Sequence, residues 1–409
     1  MNTKAIVLIC LGGFFLRLGY ILFFNAELKF PDEHRFWGEA MSILNDHTLQ
    51  LNGKYANDMP ATALFVALAA ALTGESLVGA KIAMAIVSTF TIYLIAKLTF
   101  LIGRDTRAAL ISAGIASIYP FFIFYSSLLL SETIFIFFFV LFVYTIIDHD
   151  SSIGGRSGVT AGLTHLTKPT LFYCFPVIWF WQYVVLGVRG KTIWISVLVF
   201  SLIVFSWGLR NYHVFGEFVF TTSGSGQVLW EGNNPWNKTG GVSGTFQNPD
   251  AYLQSLPEGL DELPQDRWKK SKAIDHIVDN PILFASLGVK KFFRFWSLWP
   301  NSKEYQSLRY KLMSLLSFGV VLSGTLVGVF WLREHNRVLS LLYLLIIYFT
   351  VIHMVTIGSI RYRLPVEPFL IVITSLVLAK VIRRIPRAKE QKGRNPSEYG
   401  SGPKVNLPQ

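Results

Sequence analysis

Cysteine is nearly absent: 409 residues contain two, Cys10 and Cys174. Both lie inside apolar runs, so a disulfide framework built from paired, exposed cysteines is not expected. Charge is scarce as well. Charged residues make up 15% of the chain, against about 25% in soluble globular domains. His34, His47, His165, His213 and His353 show no metal-ligand spacing, so a built zinc site is not expected. The glycine-rich "SGSGQ" (223–227) lacks the strand–turn–helix context of a nucleotide loop. The formal net charge is +12, but no basic soluble domain stands apart. Nucleic acid is therefore not an expected partner; cytoplasmic loops of membrane proteins collect Lys and Arg for reasons of topology.

What the chain has instead is apolar length. Apolar residues reach 52%, and they recur in runs of about 17–25 residues, the length that crosses a hydrocarbon core. An all-α polytopic membrane protein is the expected fold class. Spans are placed near 5–24, 77–101, 108–126, 131–147, 153–167, 170–187, 192–208, 312–332, 338–356 and 366–382, about ten within a range of nine to twelve. The N-terminal run contains Arg17 and no small-residue cleavage site follows it, so it reads as a retained signal anchor. The stretch 60–74 opens with Pro60 and is short for a span; it is read as a juxtamembrane or re-entrant helix.

Charge orients these spans. With the N-terminus inside, "GRDTR" (103–107), "GGR" (154–156), "VRGK" (188–191) and "REHNR" (333–337) are all cytoplasmic, as the positive-inside rule requires. Four regions follow: a transmembrane module at 1–209 with its first outer loop at 25–76, an outer region at 210–310 with amphipathic helices, further spans at 311–382, and a basic tail at 383–409 expected to be cytoplasmic and disordered. The run 282–299 has Lys290, Lys291 and Arg294 among aromatics, which suits an interfacial helix better than a span.

Two acidic points fall on the outer side. Asp32 and Glu33 stand in "KFPDEHRFWGEA", directly after the first span. One reading is a helix start, since acids in a first turn are favoured by the helix dipole. Glu132, in "YSSLLLSETIFIFFF", opens the fourth span, where a carboxylate is costly without a partner. Five cations share that side: Arg17, Lys168, Arg210, Arg361 and Arg363. One reading is interfacial snorkelling. The other is a site for an anionic headgroup at the membrane surface, such as a lipid-linked phosphate.

These residues, in this order, resemble the GT-C superfamily of integral-membrane glycosyltransferases, in the branch of protein O-mannosyltransferases and the lipid A aminoarabinose transferase. The resemblance covers most of 5–382. It rests on "PDEHRFWGEA", "YSSLLLSET", "LTKPT", "LRNYHVFGEFVFTTSGSGQVLWEGNNP" and "RYRLPVEPFLIV". It implies a sugar donor on a polyprenyl phosphate, used on the periplasmic or outer face of a bacterial inner membrane. It also implies Asp32 as general base, Glu33 as its neighbour in the pair, and Glu132 as the acid before the fourth span. Where many members carry Lys-Pro-Pro, this chain has "NDMPATAL", and Lys54 is the candidate to stand for that lysine.

The chemistry that goes with this is direct displacement with inversion. Polyprenyl phosphate is already a good leaving group, so cations can stabilise its charge without a general acid. The phosphate is expected to meet Arg210, Arg361, Arg363 and Lys168, with Arg17 and Lys54 as further candidates. A glycan, a lipid and a protein hydroxyl all remain open as acceptor. No cofactor is required, although paired carboxylates leave a divalent cation open, with Asp32 and Glu132 as its ligands. Two alternatives remain at this level: an O-antigen polymerase or ligase using a lipid-diphosphate oligosaccharide, and a transporter or flippase of lipid-linked sugars.

Overall fold

Each of the ten apolar segments is helical over most of its length in the computed structural model of the chain, which describes residues 1–148, 153–242, 259–301, 305–333 and 336–393. The helices are α1 (Thr3–Phe24), α2 (Pro31–Asp46), α3 (Pro60–Leu72), α4 (Leu77–Gly103), α5 (Thr106–Ile118), α6 (Pro120–Ser126), α7 (Ser131–Ile147), α8 (Ile153–Thr167) and α9 (Phe175–Leu186). They continue as α10 (Gly190–Phe215), α11 (Ser225–Gly232), α12 (Glu262–Asp279), α13 (Pro281–Phe295) and α14 (Leu308–Trp331, with a π turn at Leu315–Gly319). The last are α15 (Asn336–Val355), the one-turn α16 (Ile360–Arg363) and α17 (Glu367–Gly393).

The chain is a multi-pass integral membrane protein, but ten spans are not reached by length and composition. Among the described residues six helices are long and apolar enough to cross, or seven if the bent pair α5–α6 counts as one. The remaining three expected spans form α7, α8 and α9, of 17, 15 and 12 residues, short of the roughly 20 that a crossing needs. Proline explains part of this. Pro120 starts α6 and bends it 54° from α5, and Pro176 sits in the first turn of α9; a ring without an N–H suits a helix start and not its interior. The segment 60–74 forms the 13-residue α3, packed on α2 and α4. At the other end, α17 runs to Gly393; of the tail expected at 383–409, residues 394–409 lie outside the described residues.

Large apolar side chains face outward along α1 and α10, including Phe15, Phe23, Trp194 and Leu202, as lipid-facing surfaces do. Inside, α4 packs on α1, α5 and α7, and α17 on α5 and α14. The sequence "GGRSGVTAG" explains how α8 meets α10. Gly154, Gly158 and Gly162 recur every fourth residue, and a Cβ at 154 or 158 would lie 2.6 Å from the carbonyls of Thr192 and Ser196. Small residues at that spacing let two backbones close directly on each other. Both cysteines are buried and free. Outside the spans, α11 packs on α12, and α13 on α15.

Candidate functional site

Pro31 starts α2 just past the end of α1, and the first turn carries both acids. Their roles diverge immediately. Glu33 is fully buried and turned back on its own helix start: it accepts from the backbone N–H groups of Lys29 (3.0 Å), Phe30 (3.3 Å) and Leu129 (3.1 Å). Lys81, also buried, pairs with it at 3.1 Å and donates to the carbonyls of Asn25 and Glu27. Glu33 is thus a pin between α2, α4 and the turn before α7. Nothing about a sequence of adjacent acids reveals Lys81, which lies in the long, mostly apolar helix α4.

Asp32 points the other way and remains 29% exposed. Arg361 reaches its Oδ2 at 2.6 Å, and Arg35, one helical turn further along α2, reaches its Oδ1 at 2.8 Å. Arg361 also donates to Glu132 at 2.7 Å. Glu132, fully buried in the first turn of α7, receives Lys168 at 2.7 Å as well. Arg35 in turn contacts Asp58 at 2.5 Å. The result is one alternating chain of charges, Asp58–Arg35–Asp32–Arg361–Glu132–Lys168, contributed by α2, the loop before α3, α7, the turn after α8, and α16. Three acids meet three bases, so the resting chain is neutral.

The same contacts set the state of Asp32. Burial alone would raise its carboxyl, but Arg361 and Arg35 together hold it below the ordinary carboxylate range. It is charged at neutral pH and keeps an exposed edge. For Glu39, two turns along α2, the help from Arg35 is outweighed. Burial, with Asp58 adding to it, pushes its carboxyl up to about 8, so it is mostly protonated at neutral pH.

Of the expected cations, Arg361 and Lys168 join the chain and four do not. Arg17 is fully buried between α1, α4 and α5. It donates to Ser88 Oγ (2.8 Å) and to the carbonyls of Gly13, Ser117 and Ala116. Arg363 is fully buried and pairs with Glu367 at 2.7 Å. Arg210 donates to the carbonyls of Tyr55 and Leu49, both at 2.7 Å, which ties the loop before α3 to the end of α10. Lys54 is exposed at the tip of that loop. Arg35 and Asp58 were not singled out from the sequence. Arg35 could have been, because position i+3 from Asp32 faces it on a helix.

A divalent cation does not suit this arrangement. Among the described residues no group of three or more His, Cys, Asp or Glu converges to hold one. The carboxylate oxygens of Asp32 and Glu132 are turned toward guanidinium and ammonium groups, which already supply the positive charge.

No family model matches the chain, and no curated protein matches it. Solved structures do. The chain is similar to the archaeal oligosaccharyltransferase AglB from Archaeoglobus fulgidus in complex with an inhibitory peptide and a dolichol-phosphate. The TM-score is 0.58 at 16% identity, over 99% of this chain and 52% of that one. The apo form of the Archaeoglobus fulgidus oligosaccharyltransferase matches with a TM-score of 0.58 at 16% identity, over 96% and 52%. ArnT from Cupriavidus metallidurans bound to undecaprenyl phosphate gives 0.45 at 12% identity, over 97% and 82%. The chain spans about half the length of the oligosaccharyltransferase. What the chain shares with the oligosaccharyltransferase is the fold.

Proposed function

We propose that the chain is a membrane glycosyltransferase that moves a sugar from a polyprenyl phosphate to an acceptor hydroxyl, with inversion at the anomeric carbon. The observation that carries this is Arg361, which joins a partly exposed carboxylate, Asp32, to a buried one, Glu132, with Lys168 alongside. The fold supports the same reading. So does the archaeal oligosaccharyltransferase that shares it, whose structure is a complex with a dolichol-phosphate.

The proposed step follows from where charge moves. The acceptor hydroxyl gives its proton to Asp32 as its oxygen attacks the anomeric carbon. The bond from that carbon to the phosphate oxygen breaks, and its electron pair stays on the phosphate. A singly charged diester becomes a doubly charged monoester, so the new charge appears where Arg361 and Lys168 stand. Cations fixed at that point stabilise the transition state more than the ground state. Glu132, buried with both cations bonded to it, acts as their mount. Asp32 is the only acid of the three in the charge chain assigned to proton transfer; an exposed carboxylate within reach of a hydroxyl meets that need.

The site is assigned to the outer, periplasmic face of a bacterial inner membrane. The support is charge: Arg383 at the far end of α17 pairs with Asp105 in the α4–α5 turn at 2.9 Å, which gathers Arg104, Arg107, Arg383 and Arg384 at the end away from α2, and basic ends stay inside.

The experiment is transfer by purified protein from synthetic polyprenyl-phosphate sugars. Asp32→Asn is expected to lose about 10³-fold in kcat, within the range for a lost general base, while still binding polyprenyl phosphate. Transfer at the wild-type rate overturns the base assignment. Movement of the labelled lipid across vesicles without transfer points to a transporter instead.

A further inference from the structure

The linker that delivers Arg361 is gripped from outside the membrane. α15 ends at Val355 and α16 begins at Ile360, so a short connection must aim the guanidinium at Asp32 and Glu132. Three ties hold it. Lys291 of α13 donates to the carbonyl of Val355 at 3.1 Å and to the side-chain carbonyl of Asn233 at 2.8 Å. The amide of Asn233 donates to the same Val355 carbonyl at 2.9 Å. Further along, the N–H of Gly358 donates to the carbonyl of Gly240 at 3.0 Å, and Arg294 Nε donates to the carbonyl of Gly358 at 3.2 Å.

Two glycines show how close this grip is. A Cβ at Gly358 would lie 2.4 Å from the carbonyl oxygen of Lys291, and one at Gly232 would lie 2.0 Å from the carbonyl oxygen of Thr356. Neither contact can be relieved by a flexible side chain, so the backbones of α11 and α13 rest directly on the linker.

Lys291 is the unusual member. It is fully buried, and its hydrogen-bond acceptors among the described residues are two neutral carbonyls. Burial pushes its ammonium down to about 7. A buried amine without a carboxylate is costly, and its acceptors lie on the two sides of one joint: the last residue of α15 and the residue that follows α11. An apolar side chain would fill the space without joining them.

We infer that Lys291, with Asn233, is a positioning residue for Arg361, setting how far the guanidinium extends between Asp32, Glu132 and an arriving phosphate group. This rests on the proposed reading of Arg361 as the phosphate's partner. A shift of about 1 Å in a group that must meet a substrate costs on the order of 10²-fold, so a joint only a few residues upstream has leverage.

The test measures binding of a polyprenyl monophosphate to the full-length protein in detergent by calorimetry, together with unfolding midpoints. The proteins are wild type, Lys291→Met, Asn233→Ser, Arg361→Gln and the double variant Lys291→Met/Arg361→Gln. Lys291→Met and Asn233→Ser are each expected to weaken binding about tenfold, and Lys291→Met to add nothing in the Arg361→Gln background, as residues acting through one group do. Should Lys291→Met fail to fold, Asn233→Ser with Asn233→Ser/Arg361→Gln forms the same cycle. Equal losses in both backgrounds, or a lowered midpoint with wild-type affinity, overturn the inference. If wild type binds no polyprenyl monophosphate, the proposed function falls and the inference with it; if wild type binds and Lys291→Met binds equally, only the inference falls.

Discussion

Arg361 is 27% exposed and bridges Asp32 and Glu132, which come from two other helices. Arg363, two residues on, is fully buried and bonds to Glu367 of the same chain segment and to the carbonyls of Phe295 and Ser297. Its guanidinium also stands 3.3 Å from the centre of the Phe318 ring. The same side chain does two jobs in one turn of helix. Partners from distant elements and an open edge leave Arg361 available to a ligand. Local partners, neutral carbonyls and an aromatic cover commit Arg363 to packing, and Arg17 belongs with it.

Substitutions can break this comparison at either side. Arg361→Gln is expected to cause the largest change, a loss of about 10²–10³-fold in kcat/KM for the donor, as removal of one transition-state charge donor does. Steady-state kinetics at varied donor concentration reads it. Arg363→Met is expected to act on the other axis. It leaves Glu367 buried and unpaired, at a cost of about 3–5 kcal/mol, while the folded fraction keeps wild-type donor affinity. A thermal or denaturant unfolding curve alongside donor titration checks both halves, and a selective loss of affinity would place Arg363 in the site after all.

Lys168→Met tests whether the second cation shares the phosphate. Arg361 still satisfies Glu132, so the expected loss in donor affinity is about tenfold, near 1.4 kcal/mol. The smallest effect concerns Glu39, the carboxyl on α2 whose burial outweighs the nearby Arg35. Its ordinary value is 4.5 and its folded value about 8, so the folded chain holds a proton that the unfolded chain releases between them. That contribution to stability is full below about 4.5 and is lost as pH rises through about 8. Unfolding midpoints from about pH 5 to about pH 9 should fall more steeply for wild type than for Glu39→Gln; parallel profiles would refute it.

The sequence made the helices legible because long apolar runs have few alternatives in a membrane. It exposed Asp32, Glu132, Lys168 and Arg361 for a related reason: a charge at the end of such a run is costly unless something answers it. The same argument drew in Arg17 and Arg363, which are answered elsewhere. What the argument lacks is helix rotation, since an arginine near a helix end looks alike whether its face meets lipid, cleft or another helix. Span count failed for a different reason. α7 and α9 are apolar but short, and α8 is short and carries four glycines and Arg156; Pro169 follows α8, and Pro176 and Gly187 bound α9. Lys81 and Lys291 were illegible as partners because each bonds across more than fifty residues.

The charge chain also dates the protein's assembly. Asp32 and Arg361 are separated by 329 residues, and a ribosome delivers them in order, at about 5–20 residues per second. While the last helices are still being made, Glu132 has entered the bilayer edge with Lys168 as its one cation from the charge chain, and Asp32 has only Arg35. The arrival of α16 closes the circuit: the one positive charge of Arg361 balances the third acid, and its guanidinium bonds both Asp32 and Glu132. A chain stalled before that point displays an unbalanced acidic edge at the membrane surface, a mark by which an unfinished copy differs from a finished one.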